Sequence, residues 1–152
     1  MKLSSATKIA MTLMKEHGLI DRGWTFKYDR AVRRFGCCNY RELTISLSKK
    51  LVELNDEKQV IDTILHEIAH ALVGKGHGHN RTWLRQAVSI GCNGARCYGN
   101  EVVQPTLKYT LTCPNCGRVT HRAKLRSGLA CGACCRAHNG GKYSAEYQFT
   151  IS

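Results

Sequence analysis

Acidic residues are scarce in this chain: 11 Asp and Glu face 23 Lys and Arg among 152 residues, a formal net charge of +12. Such a balance favours a polyanionic partner, most simply nucleic acid. No apolar run reaches the length of a membrane span, so no transmembrane helix is expected. No export signal is expected either. The opening stretch, residues 1–17, mixes polar and apolar positions, and Leu3, Ile9, Ala10, Leu13 and Met14 suggest an amphipathic helix. The expectation is therefore an intracellular protein, cytoplasmic or nucleoid-associated, whose nine cysteines are metal ligands or free thiols and not disulfides. Repeats and low-complexity tracts are absent, and the length allows one ordinary domain plus a small appendage.

Against these absences, the stretch His66-Glu67-Ile68-Ala69-His70 stands out. On a helix, residues four apart lie one turn above each other on one face, so two imidazoles at that spacing can share a metal ion. Glu67 is next door, free to act as a general base on a water that the metal acidifies. A helix is expected here: Asn55 or Asp56 can cap its start, Gly74 follows its end, and Val60, Ile61, Ile64, Leu65, Ile68 and Leu72 recur at helical spacing. On a helical wheel this apolar stripe spans an arc of roughly 140°, and both histidines fall outside it. That argues against ordinary core histidines.

A catalytic zinc usually takes three protein ligands and keeps one position open. Residues 71–100 contain no Asp or Glu, which leaves Glu101 as the sole downstream acid in this part and a poor third ligand. The extended pattern HExxHxxGxxH would need a histidine where Gly76 stands. His77 and His79 remain, in a loop whose glycines at 74, 76 and 78 allow sharp reversals. The two are nearly tied, with a small edge to His79 because Asn80 can cap a following helix through about Ser89, which would hold His79 more rigidly.

The chain divides in character near Pro105. Residues 1–104 carry helical and strand-like patterns, among them Trp24–Tyr28 and Leu43–Leu47, separated by a basic, turn-rich stretch around residues 30–39 that reads as a hairpin or wide loop. Residues 105–152 are short of large aliphatic side chains, and hold seven Lys or Arg against Glu146 alone, half of the net charge. Two C-x-x-C knuckles, Cys113/Cys116 and Cys131/Cys134, lie 14 residues apart and predict a closed four-thiolate zinc site. Cys135 could replace Cys134, and His121 and His138 are weaker alternatives. Strand-like segments at residues 109–112 and 147–151 suit a β-rich zinc ribbon. Arg118, Arg122, Lys124 and Arg126, with His121, make a basic finger suited to phosphate contact. Cys37, Cys38, Cys92 and Cys97 match no ligand spacing and read as thiols outside any metal site. The fold class expected is α+β, helices plus a short sheet, followed by the ribbon.

The order of HExxH, glycine-rich loop and then His79-Asn80-Arg81-Thr82-Trp83 resembles the SprT-like zinc metalloproteases, the Spartan type. The resemblance covers nearly the whole length, ribbon included. It implies a small zincin-like metalloprotease domain over 1–104 and selects His79 as third ligand, since the family's histidine stands four residues before an aromatic. Asn80 departs from the glycine often found after that histidine. It also implies a DNA-associated zinc metalloendopeptidase that hydrolyses proteins bound or crosslinked to DNA, with one catalytic and one structural zinc. No membrane partner is expected from the lack of an apolar span, and a monomer is expected. Arg81 and Tyr98 are candidates for a second electrophile. A non-proteolytic DNA-binding zinc protein and a zinc-dependent nuclease are the alternatives.

Overall fold

The computed structural model describes residues 1–152. Its contacts group into two compact units, Met1–Pro105 and Thr106–Ser152. The first contains α1 (Leu3–Glu16), β1 (Thr25–Asp29), β2 (Gly36–Asn39), β3 (Thr44–Ser48), α2 (Lys49–Leu54), α3 (Glu57–Val73) and α4 (Arg81–Ser89). The strands form one sheet in the order β1-β3-β2, with β1 parallel and β2 antiparallel to β3. β3 is buried at all five residues, because it is central in the sheet and covered by helices. Helix α1 presents Ala6, Ala10 and Met14 to the core, and α3 adds Val60, Ile64, Ile68 and Ala71 to the same cluster.

Helix α3 buries a second stripe, Leu65 and Ala69, against Trp83 and Ala87 of α4. Two faces of α3 are thus fixed by apolar packing, and the arc left between them carries the histidines. Asp56 is the residue that caps α3, its carboxylate accepting from the Gln59 amide at 3.0 Å. The lead-in to α3 is more ordered than its sequence suggests. Ser48 caps a short helix, α2, by accepting from the Leu51 amide at 3.2 Å. The basic stretch at 30–39 is also not all loop, since its end forms the edge strand β2.

Asn55 closes this unit. Its buried amide donates to the Leu51 and Val103 carbonyls at 2.8 and 2.9 Å and accepts from the Val103 amide at 2.7 Å. All its polar capacity toward the chain is used, as burial demands, and Val102 is thereby held in the core.

The second unit contains β4 (Tyr109–Thr112), β5 (Val119–Arg122), α5 (Gly132–His138) and β6 (Thr150–Ile151), with strand order β5-β4-β6, all antiparallel. The strand expected over 147–151 shrinks to Thr150–Ile151. A 3-10 turn at Ala145–Tyr147 precedes it, and the Phe149 amide instead donates to the Leu129 carbonyl at 3.0 Å. The core of this unit consists of Cys113, Cys131, Cys134, Cys135 and Tyr147, with Leu111 also buried. No helix of the chain is long and apolar enough to cross a membrane.

Candidate metal centre

His66 and His70 project from one face of α3, and the following loop returns a third imidazole to them. Gly74, Gly76 and Gly78 have φ of 85°, 95° and 52°, in the left-handed region that glycine enters without steric cost. The turn closes at Asn80, whose amide N–H donates to the His77 carbonyl at 3.1 Å while its side chain lies 3.3 Å from the His77 ring. Asn80 also caps α4, accepting from the Thr82 and Trp83 amides at 3.0 and 3.2 Å. An asparagine thus fits where glycine is usual. It spends His77 on the turn and delivers His79 to the site.

The three Nε2 atoms converge. His66 to His70, His70 to His79 and His66 to His79 measure 3.2, 3.2 and 3.0 Å. Two ligands of a tetrahedral zinc with Zn–N bonds of 2.0–2.1 Å stand about 3.3 Å apart, so the triangle fits one shared ion. Its rings pack around Trp83, which is 1% exposed, with centroids 4.7, 5.3 and 4.5 Å from His66, His70 and His79. Ala95 lines the same cavity as His66. Burial, then the neighbouring imidazoles, pushes His66 and His70 down to about 4, and burial followed by the Arg96 charge lowers His79. Each shift favours the neutral imidazole, the form a metal ligand requires.

Glu67 is 7% exposed and stays out of this triangle. It turns toward the edge strand, where Gly36 makes room: a Cβ at position 36 would lie 2.5 Å from Oε1 and 2.7 Å from Cγ of Glu67. Sequence reasoning missed Gly36, because nothing in the local pattern signals a contact across 31 positions. Gly36→Ala is accordingly expected to displace the carboxylate and cut any Glu67-dependent turnover about 10–100-fold with the metal retained, since misplacements of this size have costs of that order. Steady-state kinetics with metal analysis checks it.

Burial pushes the Glu67 carboxyl up to about 8, with Arg34 opposing and Asp29 adding to the effect. Below an ordinary glutamate pKa of 4.5 both folded and unfolded chains hold the proton. As pH rises the unfolded chain releases it first, so stability falls through about 8 and then levels off. In the metal-free protein, Glu67→Gln is expected to be stabilising relative to the parent by an amount that grows over this window to a few kcal/mol. Urea denaturation of both proteins from acid to alkaline pH measures it.

Beside His66 and Glu67 opens a cavity of about 380 Å³, walled by residues 33–36, the Gln59–Thr63 turn of α3 and the loop at 93–101. Tyr98 closes its far side, its ring edge-on to Phe35 and its hydroxyl donating to the Arg33 carbonyl at 2.5 Å. Arg81 is exposed at the start of α4 and does not line the cavity.

The second unit gathers Cys113, Cys116, Cys131 and Cys134. The Sγ atoms of Cys113 and Cys134, and of Cys116 and Cys131, are 3.7 Å apart. The edge of a zinc–sulfur tetrahedron is about 3.8 Å, so this set fits zinc as well. Helix α5 directs Cys134 into the cluster and leaves the buried Cys135 outside it. Backbone N–H groups face the sulfurs: that of Cys134 leads the effects holding Cys131 down to about 6, and that of Cys116 leads those lowering Cys113. His121 bonds with Thr110 and His138 packs on Tyr147, and neither joins the ligand set. Arg118, Lys124 and Arg126 are exposed, and Arg122 is half-buried on β5. Cys37 and Cys38 are half-buried, Cys92 buried and Cys97 exposed, all as free thiols outside both clusters.

Three histidines from a helix and its returning loop, with a buried glutamate next to the first, form a candidate single-ion metal site of the HExxH kind on an α+β scaffold. The model of the SprT-like family matches residues 11–106, well over half the chain, and the protein belongs to that family. No curated protein matches the sequence.

Proposed function

We propose that this protein is a zinc-dependent endopeptidase acting on proteins bound or crosslinked to DNA. The observation that carries the reading is the pairing of a converged three-imidazole site with a buried carboxylate that is not one of its ligands. His66, His70 and His79 would hold the ion, which when bound supplies Lewis acidity toward a carbonyl and acidifies a water. Glu67 takes the proton of the attacking water and returns it to the leaving amine. A proton affinity raised by burial suits a group that must both accept and release near neutral pH. The cavity beside Glu67 receives a substrate side chain next to the scissile bond, its Phe35–Tyr98 pair offering an apolar wall.

The DNA part of the proposal draws on the second unit. Four thiolates hold a small scaffold from which Arg118, Lys124 and Arg126 extend into solvent, with Arg122 on the adjoining strand. Side chains of this kind contact phosphates without reading sequence. The ribbon would recruit the peptidase to DNA, so proteins resident there become its substrates.

Zinc removal and return test the reading. The parent chain is expected to bind two zinc ions, one per cluster. A chelator that strips the histidine site should abolish cleavage of a DNA-binding protein, and added zinc should restore it. Cleavage that survives complete zinc removal would refute the proposal.

A further inference from the structure

A buried base and a metal leave one role of peptide hydrolysis unassigned: a second donor for the carbonyl oxygen, where negative charge builds during attack. Three arginines line the cavity beside His66 and Glu67. Arg34 is committed to Asp29 at 2.6 Å, and Arg33 is engaged within the chain. Tyr98, the other donor within reach, spends its hydroxyl on the Arg33 carbonyl. Arg96 is different. It is exposed at the cavity and makes no hydrogen bond or ion pair within the protein.

The backbone around Arg96 is nevertheless anchored. The Asn93 amide donates to Asp62 of α3 at 2.7 Å, the Ala95 amide donates to the Asn93 side chain at 2.7 Å, and Tyr98 is tied to Arg33. Ala95, the residue before Arg96, lines the cavity together with His66. The loop thus lines the cavity that His66 and Glu67 also border, and the Arg96 side chain stands there without a partner of its own.

We propose that Arg96 is a catalytic residue that donates hydrogen bonds to the carbonyl oxygen of the scissile peptide. It moves no proton. The water oxygen bonds to the carbonyl carbon, its proton passes by way of Glu67 to the amide nitrogen, and the C–N bond breaks. Arg96 stays protonated throughout and stabilises the oxygen while it carries charge. This inference rests on the peptidase reading.

The test uses the zinc-loaded full chain. Arg96→Ala is expected to lower kcat about 10²–10³-fold, the usual cost of removing one such donor, with a much smaller change in KM. Arg96→Lys should recover part of the loss. Zinc content and DNA affinity should match the parent, and Arg22→Ala, an equal loss of charge on an exposed residue after α1, should leave kcat unchanged. A phosphinic peptide, whose tetrahedral oxygens mimic the attacked carbonyl, should lose affinity by a factor comparable to the loss in kcat. A hydroxamate, which binds chiefly through the metal, should not. Unchanged kcat in Arg96→Ala, equal weakening of both inhibitors, or a loss confined to DNA binding would overturn the assignment. If Glu67→Gln is inactive while Arg96→Ala keeps full activity, Arg96 alone is misassigned. If the zinc-loaded parent itself cleaves nothing, the peptidase reading falls with it.

Discussion

Glu67→Gln is expected to lower peptide hydrolysis about 10²–10⁴-fold, the contribution typical of a positioned general base, while the zinc content stays at the parental value. Both halves follow from where Glu67 lies. It is outside the ligand triangle, so its replacement removes no metal bond. Glutamine has the same shape and fits the niche beside Gly36, so the fold has no reason to adjust. What glutamine cannot do is accept the proton of the attacking water. The loss should fall on kcat and leave KM nearly unchanged, because the base matters only as the transition state forms. Loss of the histidine-bound zinc along with activity would mean that Glu67 supports the metal directly.

The second large effect is expected at Cys113. The core of residues 106–152 consists of four of its five cysteines with Tyr147 and Leu111. So small an apolar core cannot by itself offset the conformational entropy of a unit this size. Structural zinc supplies about 10–16 kcal/mol in small zinc-held folds, so an ion held by these thiolates would be most of what keeps the unit folded. In Cys113→Ser, amide hydrogen exchange should show residues 106–152 unprotected while residues 1–105 keep their protection. Zinc should fall from two ions per chain to one, and DNA affinity should drop at least about tenfold, the scale expected when several phosphate contacts are lost together. Exposed thiolate chemistry makes the result easy to follow, since the remaining cysteines become reactive as they leave the cluster. Unaltered DNA affinity in a chain with an unfolded second unit would remove the ribbon from the proposed recruitment.

How far the sequence anticipates this structure depends on the range of the interaction. His66 and His70 are legible because their spacing maps onto one helical turn, and the four ribbon cysteines because two knuckles at that spacing are a compact chemical pattern. His79 could not be separated from His77 by residue type alone. The difference lies in three positive-φ glycines and in Asn80 bonding back to His77. Cys134 and Cys135 were separable only once α5 set their directions. Contacts across the fold left no local trace. The edge strand that brings Gly36 against Glu67, and the loop that carries Arg96 past His66, join segments about 30 residues apart with no periodicity to announce them. Helix α2 escaped notice because six residues are too few for a helical repeat to stand out.

The most direct measurement is the time course of cleavage of a DNA-binding protein by the zinc-loaded chain, with and without DNA, run beside Glu67→Gln. The expected result is cleavage that DNA accelerates and that the variant lacks, with two zinc ions bound in both proteins. An intact substrate after incubation with the fully zinc-loaded parent and DNA, or cleavage equal in parent and variant, would contradict it.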